Sequence, residues 1–508
     1  MLDFIYPISY LICLTGLILW FYFKENGSIS RKMSSVFLVA FLIYLLSLAF
    51  TEASVSYKLL ILVRDLLILG VVSQVFNYVR KNSMLVFVLA IAVYGLIQFV
   101  GFNMLYNTFP QVDETISTAD DQFELMIETK NGEIPKSYNR LIAKYGLTVQ
   151  HAFSPADPDL SELDDFIAIG IPDNAEGKMS TIIREFRRFS GTEYLEYNET
   201  IKLDETEQIT TTPAVSAKNV NDPLVHQQWG WDIIQGDQLQ GLIASSHPQP
   251  KKRALIAIID SGVDGAHADL RNQFLPGGEN NDSDPLGHGT HCAGIAAAVS
   301  NNGIGIASLI PDASYVQVTS IKVMNAMGIG SQMATIQGMI KAADMGADVI
   351  SLSLGGMSSD SKQKAYEEAM KYCNAKGAIV IAAAGNSSQN AKDYAPANAY
   401  GVITVAAIGV DLKKASFSNS VNDLKFGIAA PGVKIISTFP NQQYKELDGT
   451  SMATPMVAGL VGLLKSFRPE LKTQEVYNIL YDTGKQLPDG NSSGRLIQAA
   501  DALEKVMD

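Results

Sequence analysis

The apolar positions of this chain follow two regimes. Up to Tyr106 they run nearly without break, as four segments at 4–23, 35–50, 57–79 and 84–106. A helix of about 20 apolar residues crosses a hydrocarbon layer. The first segment meets that length, the second is short for a span, and the third carries Arg64 and Asp65. Four apolar segments in a row predict a helical membrane domain over 1–108, ending in a polar, acidic linker at 109–122. The first segment does not read as a cleaved export signal, because no basic stretch precedes it and no small-residue cleavage motif follows it. Lys24, Arg31 and Lys32 lie in the first loop and Arg80 and Lys81 in the third, while 51–56 holds no basic residue. The excess of basic residues then puts loops one and three in the cytoplasm and the rest of the chain outside it. That orientation reverses if 35–50 does not span. Arg64 and Asp65 read as side chains reaching for the interface, or as an ion pair within the layer.

Beyond residue 122 the periodicity shortens and alternates. Strand-like stretches at 123–129, 147–153, 165–171 and 193–201 are interleaved with helical spacing at 134–145 and 178–189. The order β-α-β-β-α-β predicts a ferredoxin-like α+β module over 123–203. Residues 204–220 are rich in Thr, Glu and Ala and read as a linker. From 221 to 508, apolar strands at 255–259, 314–319, 321–323, 349–354, 378–383 and 402–408 alternate with helical stretches at 332–345 and 362–376. That alternation predicts a mostly parallel sheet covered by helices on both faces.

Composition refines the picture only a little. The chain has 508 residues and a net charge of −13, which argues against a nucleic-acid partner. Three cysteines form no framework. Cys13 lies in the first apolar segment, and only a Cys292–Cys373 disulfide is open to consideration. No His-Glu-x-x-His zinc motif occurs.

Candidate chemistry gathers at three places. Gly449-Thr450-Ser451 precedes an apolar helical run, so Ser451 stands at a helix mouth with its backbone N–H unpartnered by the helix. Pro455 reads as a first-turn proline, tolerated there. His288 opens a small-residue helical run in the same way. Asp260 ends the apolar strand at 255–259, where open α/β sheets build their sites. A hydroxyl, an imidazole to take its proton and a carboxylate to orient the imidazole make a nucleophilic triad. His291, one turn from His288, reads as packing, and His267 as closing the turn before Asp269.

The stretches IAIIDSGVD, HGTHCAG and GTSMATP, in that order, resemble the three signatures of the subtilisin-like serine proteases. The resemblance runs from about Asn221 to the C-terminus. It implies a subtilisin-like domain over 221–508 and a serine endopeptidase that needs no cofactor for catalysis. By the same resemblance, Asn386 is the side-chain donor to the oxyanion. Ser353, Leu354 and Gly355 pair with extended substrate, and Ala383 and Ala384 line the primary pocket. Tyr394 and Pro396 resemble a pocket wall, with one extra residue between them. Asp222, Asp269 and Asn302 stand where the family binds a structural calcium. The module at 123–203 stands where the family carries an inhibitory propeptide, with self-cleavage expected between Asp204 and Val220. The expected partners are a peptide or protein substrate, the lipid bilayer and the chain's own propeptide. The expected location is a multi-pass membrane protein with its protease outside the cytoplasm. The other reading is a membrane sensor or scaffold whose protease domain binds peptides without cleaving them.

Overall fold

The structure is a computed structural model that describes residues 2–23, 27–49, 55–79, 123–203, 219–278, 280–358, 363–490 and 492–507. Its contacts divide the chain into two compact units. One comprises 1–115, 127–149 and 169–195, and the other 116–126, 150–168 and 196–508.

In the first unit, helices Leu2–Tyr22, Gly27–Ala49 and Val55–Val79 share a core of Tyr10, Cys13, Leu14, Leu17, Tyr44 and Leu69. The second helix begins at Gly27, well before the apolar segment. Among the described residues one helix, Gly27–Leu48, is long and apolar enough to cross a membrane. The expected bundle of four spanning helices is therefore not supported, and the segment at 84–106 lies outside the described residues. Asp65 also departs from expectation: it is 1% exposed and turned inward. Tyr44 Oη donates to Asp65 Oδ2 at 3.0 Å, and Tyr10 Oη donates to the Asp65 carbonyl at 3.0 Å. Leu38, Val39, Leu42, Leu46 and Leu67 stay exposed while Ser9, Ser47 and Asp65 are buried. This is the reverse of the usual order in a water-soluble globule.

Strands β1 (Leu125–Thr129), β2 (Thr148–His151), β3 (Phe166–Gly170) and β4 (Thr192–Tyr197) form a sheet in the order β2-β3-β1-β4. Helices Asn139–Tyr145 and Met179–Phe186 follow β1 and β3. The first ends at Gly146, whose φ of 69° suits a residue without a Cβ. Tyr138 and Phe186 meet edge to face at 4.8 Å. The strand expected at 193–201 is broken at Asn198 and Glu199, and β5 (Thr200–Lys202) is a separate strand.

The remaining strands are β6 (Ala254–Asp260), β7 (Phe274–Leu275), β8 (Val316–Lys322), β9 (Ile329–Ser331), β10 (Val349–Leu352), β11 (Gly356–Met357) and β12 (Ile379–Ala383). They continue with β13 (Tyr394–Ala395), β14 (Ile403–Ile408), β15 (Gly427–Pro431), β16 (Ile435–Phe439), β17 (Gln443–Leu447) and β18 (Arg495–Leu496). Eight of them form one sheet in the order β18-β15-β14-β12-β10-β6-β8-β7. Every neighbouring pair in that order runs parallel. The two strands expected at 314–319 and 321–323 are one, β8, because Ser320 continues the ladder against Ile258.

Successive side chains of a strand point to opposite faces, and β6 shows it. Ile256 and Ile258 join the cluster containing Val457, Leu460 and Val461 of helix Thr450–Phe467. Ala257 and Ile259 join the cluster containing Ile336 and Met339 of helix Gln332–Asp344 and Tyr366 of helix Lys364–Ala375. Both faces are covered, as a parallel sheet of Val, Ile and Ala demands. Each such aliphatic side chain contributes about 1.5–3 kcal/mol on full burial. The second cluster also takes in Phe123, Phe153, Phe166 and Ile201.

Candidate active site

β6, β10 and β12 lie side by side in parallel, so their carboxyl ends open at one edge of the sheet. β6 ends in Asp260, β10 runs into Ser353, and β12 runs into Asn386. Two helix starts meet this edge: His288 opens His288–Ala297, and Ser451 is the second residue of Thr450–Phe467.

Asp260 is fully buried and His288 is 7% exposed. His288 Nδ1 lies 2.8 Å from Asp260 Oδ1 and 3.0 Å from Oδ2. A carboxylate only accepts, so Nδ1 carries the proton and Nε2 is left as the basic nitrogen. Asp260 Oδ1 is fixed further by the N–H of Ser261 at 2.7 Å. Burial works against charging the imidazole, but the Asp260 carboxylate outweighs it and holds the His288 pKa well above the usual value. A Cβ on Gly289 would come within 2.1 Å of the Gly262 carbonyl, so only glycine lets the helix start press so closely on the strand end.

Ser451 Oγ donates to the Ser353 carbonyl at 3.0 Å, and Ser353 Oγ donates to the Ser451 carbonyl at 2.9 Å. The second bond has a cause in the sequence. Pro455 is the sixth residue of the helix, not a first-turn residue as its sequence context implied. It has no N–H to return to the carbonyl four residues earlier. The Ser451 carbonyl is satisfied instead by Ser353 Oγ and by Cys292 Sγ at 3.5 Å.

Asn386 Oδ1 accepts from the N–H and the hydroxyl of Thr450, at 2.9 and 2.8 Å. That fixes which end of the amide faces Thr450 and turns the NH2 the other way. A methyl group on Gly449 would stand 3.4 Å from Asn386 Nδ2 and 3.5 Å from Ser451 N. The two nitrogens therefore border the same small space, where developing negative charge would meet two donors.

Ser353 and Leu354 are buried and Gly355 is at the rim. Opposite Gly355 runs the chain's own β5: Lys202 bridges Gly355 in antiparallel sense. On its other side β5 pairs with β9, Ile201 facing Gly330 and Lys202 facing Ile329. The Leu203 N–H donates to the Gly328 carbonyl at 3.0 Å. Ala383 pairs with Val405, and the Ala384 N–H donates to the Val405 carbonyl at 3.0 Å, so both alanines are part of the β12–β14 ladder. Tyr394 lies in β13, paired with β11.

Sequence reasoning missed the residues that bind β4 and β5 to the neighbouring helices. Glu196 Oε2 accepts from the Lys364 N–H at 2.9 Å, and Oε1 from Ala365 N–H at 3.3 Å and Gln332 Nε2 at 3.0 Å. Asn198 Oδ1 accepts from the Met333 N–H at 2.9 Å. The two side chains thus satisfy donors at the starts of helices Lys364–Ala375 and Gln332–Asp344. The signal was two polar residues, spaced by two, where alternation called for strand. Burial first, and Glu199 beside it, raise the Glu196 carboxyl to about 8 despite those three donors.

The calcium candidates come together. Asp222 accepts from the N–H groups of Asn301 and Asn302, at 2.9 and 3.3 Å. Asp269 accepts from Asn302 Nδ2 at 2.7 Å, the Ile306 N–H at 2.9 Å and Tyr444 Oη at 3.2 Å. Burial, with Asp222 adding to it, raises the Asp269 carboxyl to about 6. His267 Nδ1 accepts from the Asp269 N–H at 3.2 Å, closing the turn before it. His291 is held by the Lys445 carbonyl at 2.8 Å, and burial lowers its pKa to about 3, so it is a neutral packing group.

Cys13, Cys292 and Cys373 are all free thiols, so the Cys292–Cys373 bond is not formed. Cys292 Sγ lies 4.0 Å from His288 Nδ1. Among the described residues Asp260, His288 and Cys292 are close enough to share a cation. Burial raises the Cys292 pKa and keeps the thiol protonated, which suits packing rather than ligation.

Fold and site together define a serine-type endopeptidase. The family model described as "Subtilase family" matches residues 251–496. Thermitase of Thermoactinomyces vulgaris is 44% identical over 254 residues, covering 48% of this chain and 85% of that protein. Subtilisin DY of Bacillus licheniformis is 39% identical over 274 residues, covering 53% of this chain and 94% of that protein. M-protease of Shouchella clausii is 34% identical over 317 residues, covering 61% and 76% respectively. The chain belongs to the subtilase family, and its peptidase chemistry needs no cofactor.

Proposed function

We propose that this protein is a membrane-attached serine endopeptidase made as a self-inhibited precursor. In this reading Ser451 Oγ attacks the peptide carbonyl while His288 Nε2 takes its proton. Asp260 keeps the imidazole in the right tautomer and stabilises its charge. Asn386 Nδ2 and the Ser451 N–H hold the oxyanion. His288 then returns the proton to the departing amine, and water releases the acyl group by the same steps in reverse. The observation that carries the proposal is the 2.8 Å His288–Asp260 bond on the strand edge that also holds Ser451 and Asn386. Ser353, Leu354 and Gly355 would pair with extended substrate, and Ala383 and Ala384 would back the primary pocket.

The inhibitory role of 123–203 is supported by β5, which fills the edge between β9 and Gly355 as a substrate strand would. Cleavage between Asp204 and Val220 falls mostly outside the described residues and completes the precursor reading. Attachment to a bilayer is supported by helix Gly27–Leu48 and by the apolar outer faces of its neighbours. The basic first loop puts the peptidase on the extracytoplasmic side. Asp222, Asp269 and Asn302, brought together from three segments, offer two carboxylates and an amide, a donor set that suits a hard cation once the Asn302 NH2 now bonded to Asp269 turns away. When bound, the cation would neutralise the buried Asp269 and Asp222 charges and tie their three segments together.

One experiment tests the core of the proposal. A fluorophosphonate should label the wild type at Ser451, and a shortened C-terminal fragment should appear. Neither should occur in Ser451→Ala. A folded wild type that never labels, or a fragment that persists in Ser451→Ala, overturns the reading. Recovery of the full-length protein in an alkaline carbonate wash would overturn the attachment.

A further inference from the structure

The Asp260–His288 pair exists only if the end of β6 and the first turn of helix His288–Ala297 are held together. One side chain outside the triad spans that junction. Asp284 is four residues before His288 and 6% exposed. Its Oδ1 accepts from Ser261 Oγ at 2.8 Å, from the Gly287 N–H at 2.8 Å and from the Leu286 N–H at 3.2 Å. Its Oδ2 accepts from the Thr290 N–H at 2.8 Å and the Thr290 hydroxyl at 2.7 Å. Ser261 Oγ in turn accepts from the Gly289 N–H at 3.0 Å, and Thr290 Oγ1 from the Asp264 N–H at 2.9 Å.

We infer that Asp284 is a positioning residue for peptide hydrolysis, setting the relation of the Asp260 carboxylate to the His288 imidazole. The residue after Asp260, Ser261, and three residues flanking His288, Leu286, Gly287 and Thr290, converge on its two oxygens. Any drift of the helix start relative to β6 must break one of five hydrogen bonds to a single buried carboxylate. Such an acceptor also suits the N-terminus of a helix, where unpaired N–H groups and the dipole favour negative charge. Asp284 itself touches neither substrate nor the transferred proton. The inference rests on the triad reading given above.

The test compares wild type, Asp284→Asn, Asp284→Glu and Ser261→Ala, with kcat and KM expressed per active site titrated with fluorophosphonate. Asp284→Asn keeps the shape but turns an NH2 towards N–H or O–H donors. It should lower kcat by about 10- to 100-fold, the scale of a small misplacement of catalytic groups, and change KM by less than about threefold. It should also move the acid limb of kcat/KM to lower pH, because a looser Asp260 supports the imidazolium less. Asp284→Glu keeps the charge but not the reach, and should show the same shift. Ser261→Ala removes one link and should give a smaller loss in the same direction. A lower melting temperature with wild-type kcat and limb position per titrated site would make Asp284 purely structural and overturn the inference. If Asp284→Asn does not fold, an unmoved limb and unchanged kcat in Ser261→Ala overturn it instead. A wild type that neither labels nor cleaves overturns the triad reading as well. An active, labelled wild type with an indifferent Asp284→Asn overturns the positioning role alone.

Discussion

Ser353 and Ser451 exchange hydrogen bonds, each hydroxyl donating to the other's carbonyl, at 2.9 and 3.0 Å. One serine sits where substrate backbone would pair, and the other is the proposed nucleophile. Pro455 makes the exchange available by withholding the N–H that would otherwise claim the Ser451 carbonyl. Ser353→Ala should therefore destabilise the protein by about 1 kcal/mol, a single neutral hydrogen bond. It should lower kcat several-fold with little change in KM. Thermal melting and steady-state kinetics on a peptide substrate check both, and an unchanged kcat would separate the bond from catalysis.

Replacing Asn386 with Ala removes the side-chain donor and leaves the Thr450 N–H and hydroxyl without their acceptor. The expected loss in kcat is about 100- to 1,000-fold, the cost of removing one oxyanion-hole donor in subtilisin. KM should barely move. A fall in KM-weighted activity without a fall in kcat would place Asn386 outside the transition state.

The Asp260 carboxylate holds the His288 pKa well above its usual value. The imidazole must be neutral to take the Ser451 proton, so activity should fall as pH drops through that raised value. Asp260→Asn removes the charge that raises it. The residual activity should be far lower, and its acid limb should lie at lower pH than in wild type. A pH profile of kcat/KM decides, and a limb that stays in place would mean that another group titrates.

Glu196 ties β4 to the starts of two helices with its carboxyl raised to about 8. A group held this high in the folded contact contributes fully below its ordinary value of about 4.3. That contribution is lost as pH rises towards about 8. The contact made by 196–203 should therefore loosen between mildly acidic and mildly alkaline pH. Glu196→Gln should flatten that dependence. In a Ser451→Ala background, protection of 196–203 from hydrogen exchange at pH 5 and pH 8 would measure it. Equal slopes in both proteins would refute the assignment.

Chelation should lower the melting temperature of the wild type, and calcium should restore it. Asp269→Asn should melt lower and respond to neither. Because the Asp269 carboxyl titrates near 6, the calcium effect should fade below that pH, where the proton competes for the ligand. Calorimetry with and without calcium at pH 5 and 7.5 checks it.

Much of this was legible in the sequence because the relevant signals were local. The uninterrupted apolar run before Asp260 reads as a strand buried on both faces. Glycines and small residues around His288 and Ser451 marked helix mouths. What was not legible depended on partners distant in sequence. Pro455 looked like a first-turn proline until the helix start at Thr450 was known. Glu196 and Asn198 interrupt a strand pattern for the sake of helices more than a hundred residues away. Asp65 stood beside Arg64 in an apolar run, and nothing local said that two tyrosines from other helices would draw it inward. The second apolar segment was underestimated because hydropathy does not register the polar first turn of its helix.

The order of segments along the chain has one more consequence. The N-terminal helices and β5 belong to the same stretch of polypeptide, while Asp260, His288, Asn386 and Ser451 all belong to the next. In the proposed reading, a single nick past Leu203 would leave the lid and the mooring as one molecule and the blade as another. Whatever loosens the lid would then also set the blade adrift, so unblocking and departure from the membrane would be one event rather than two.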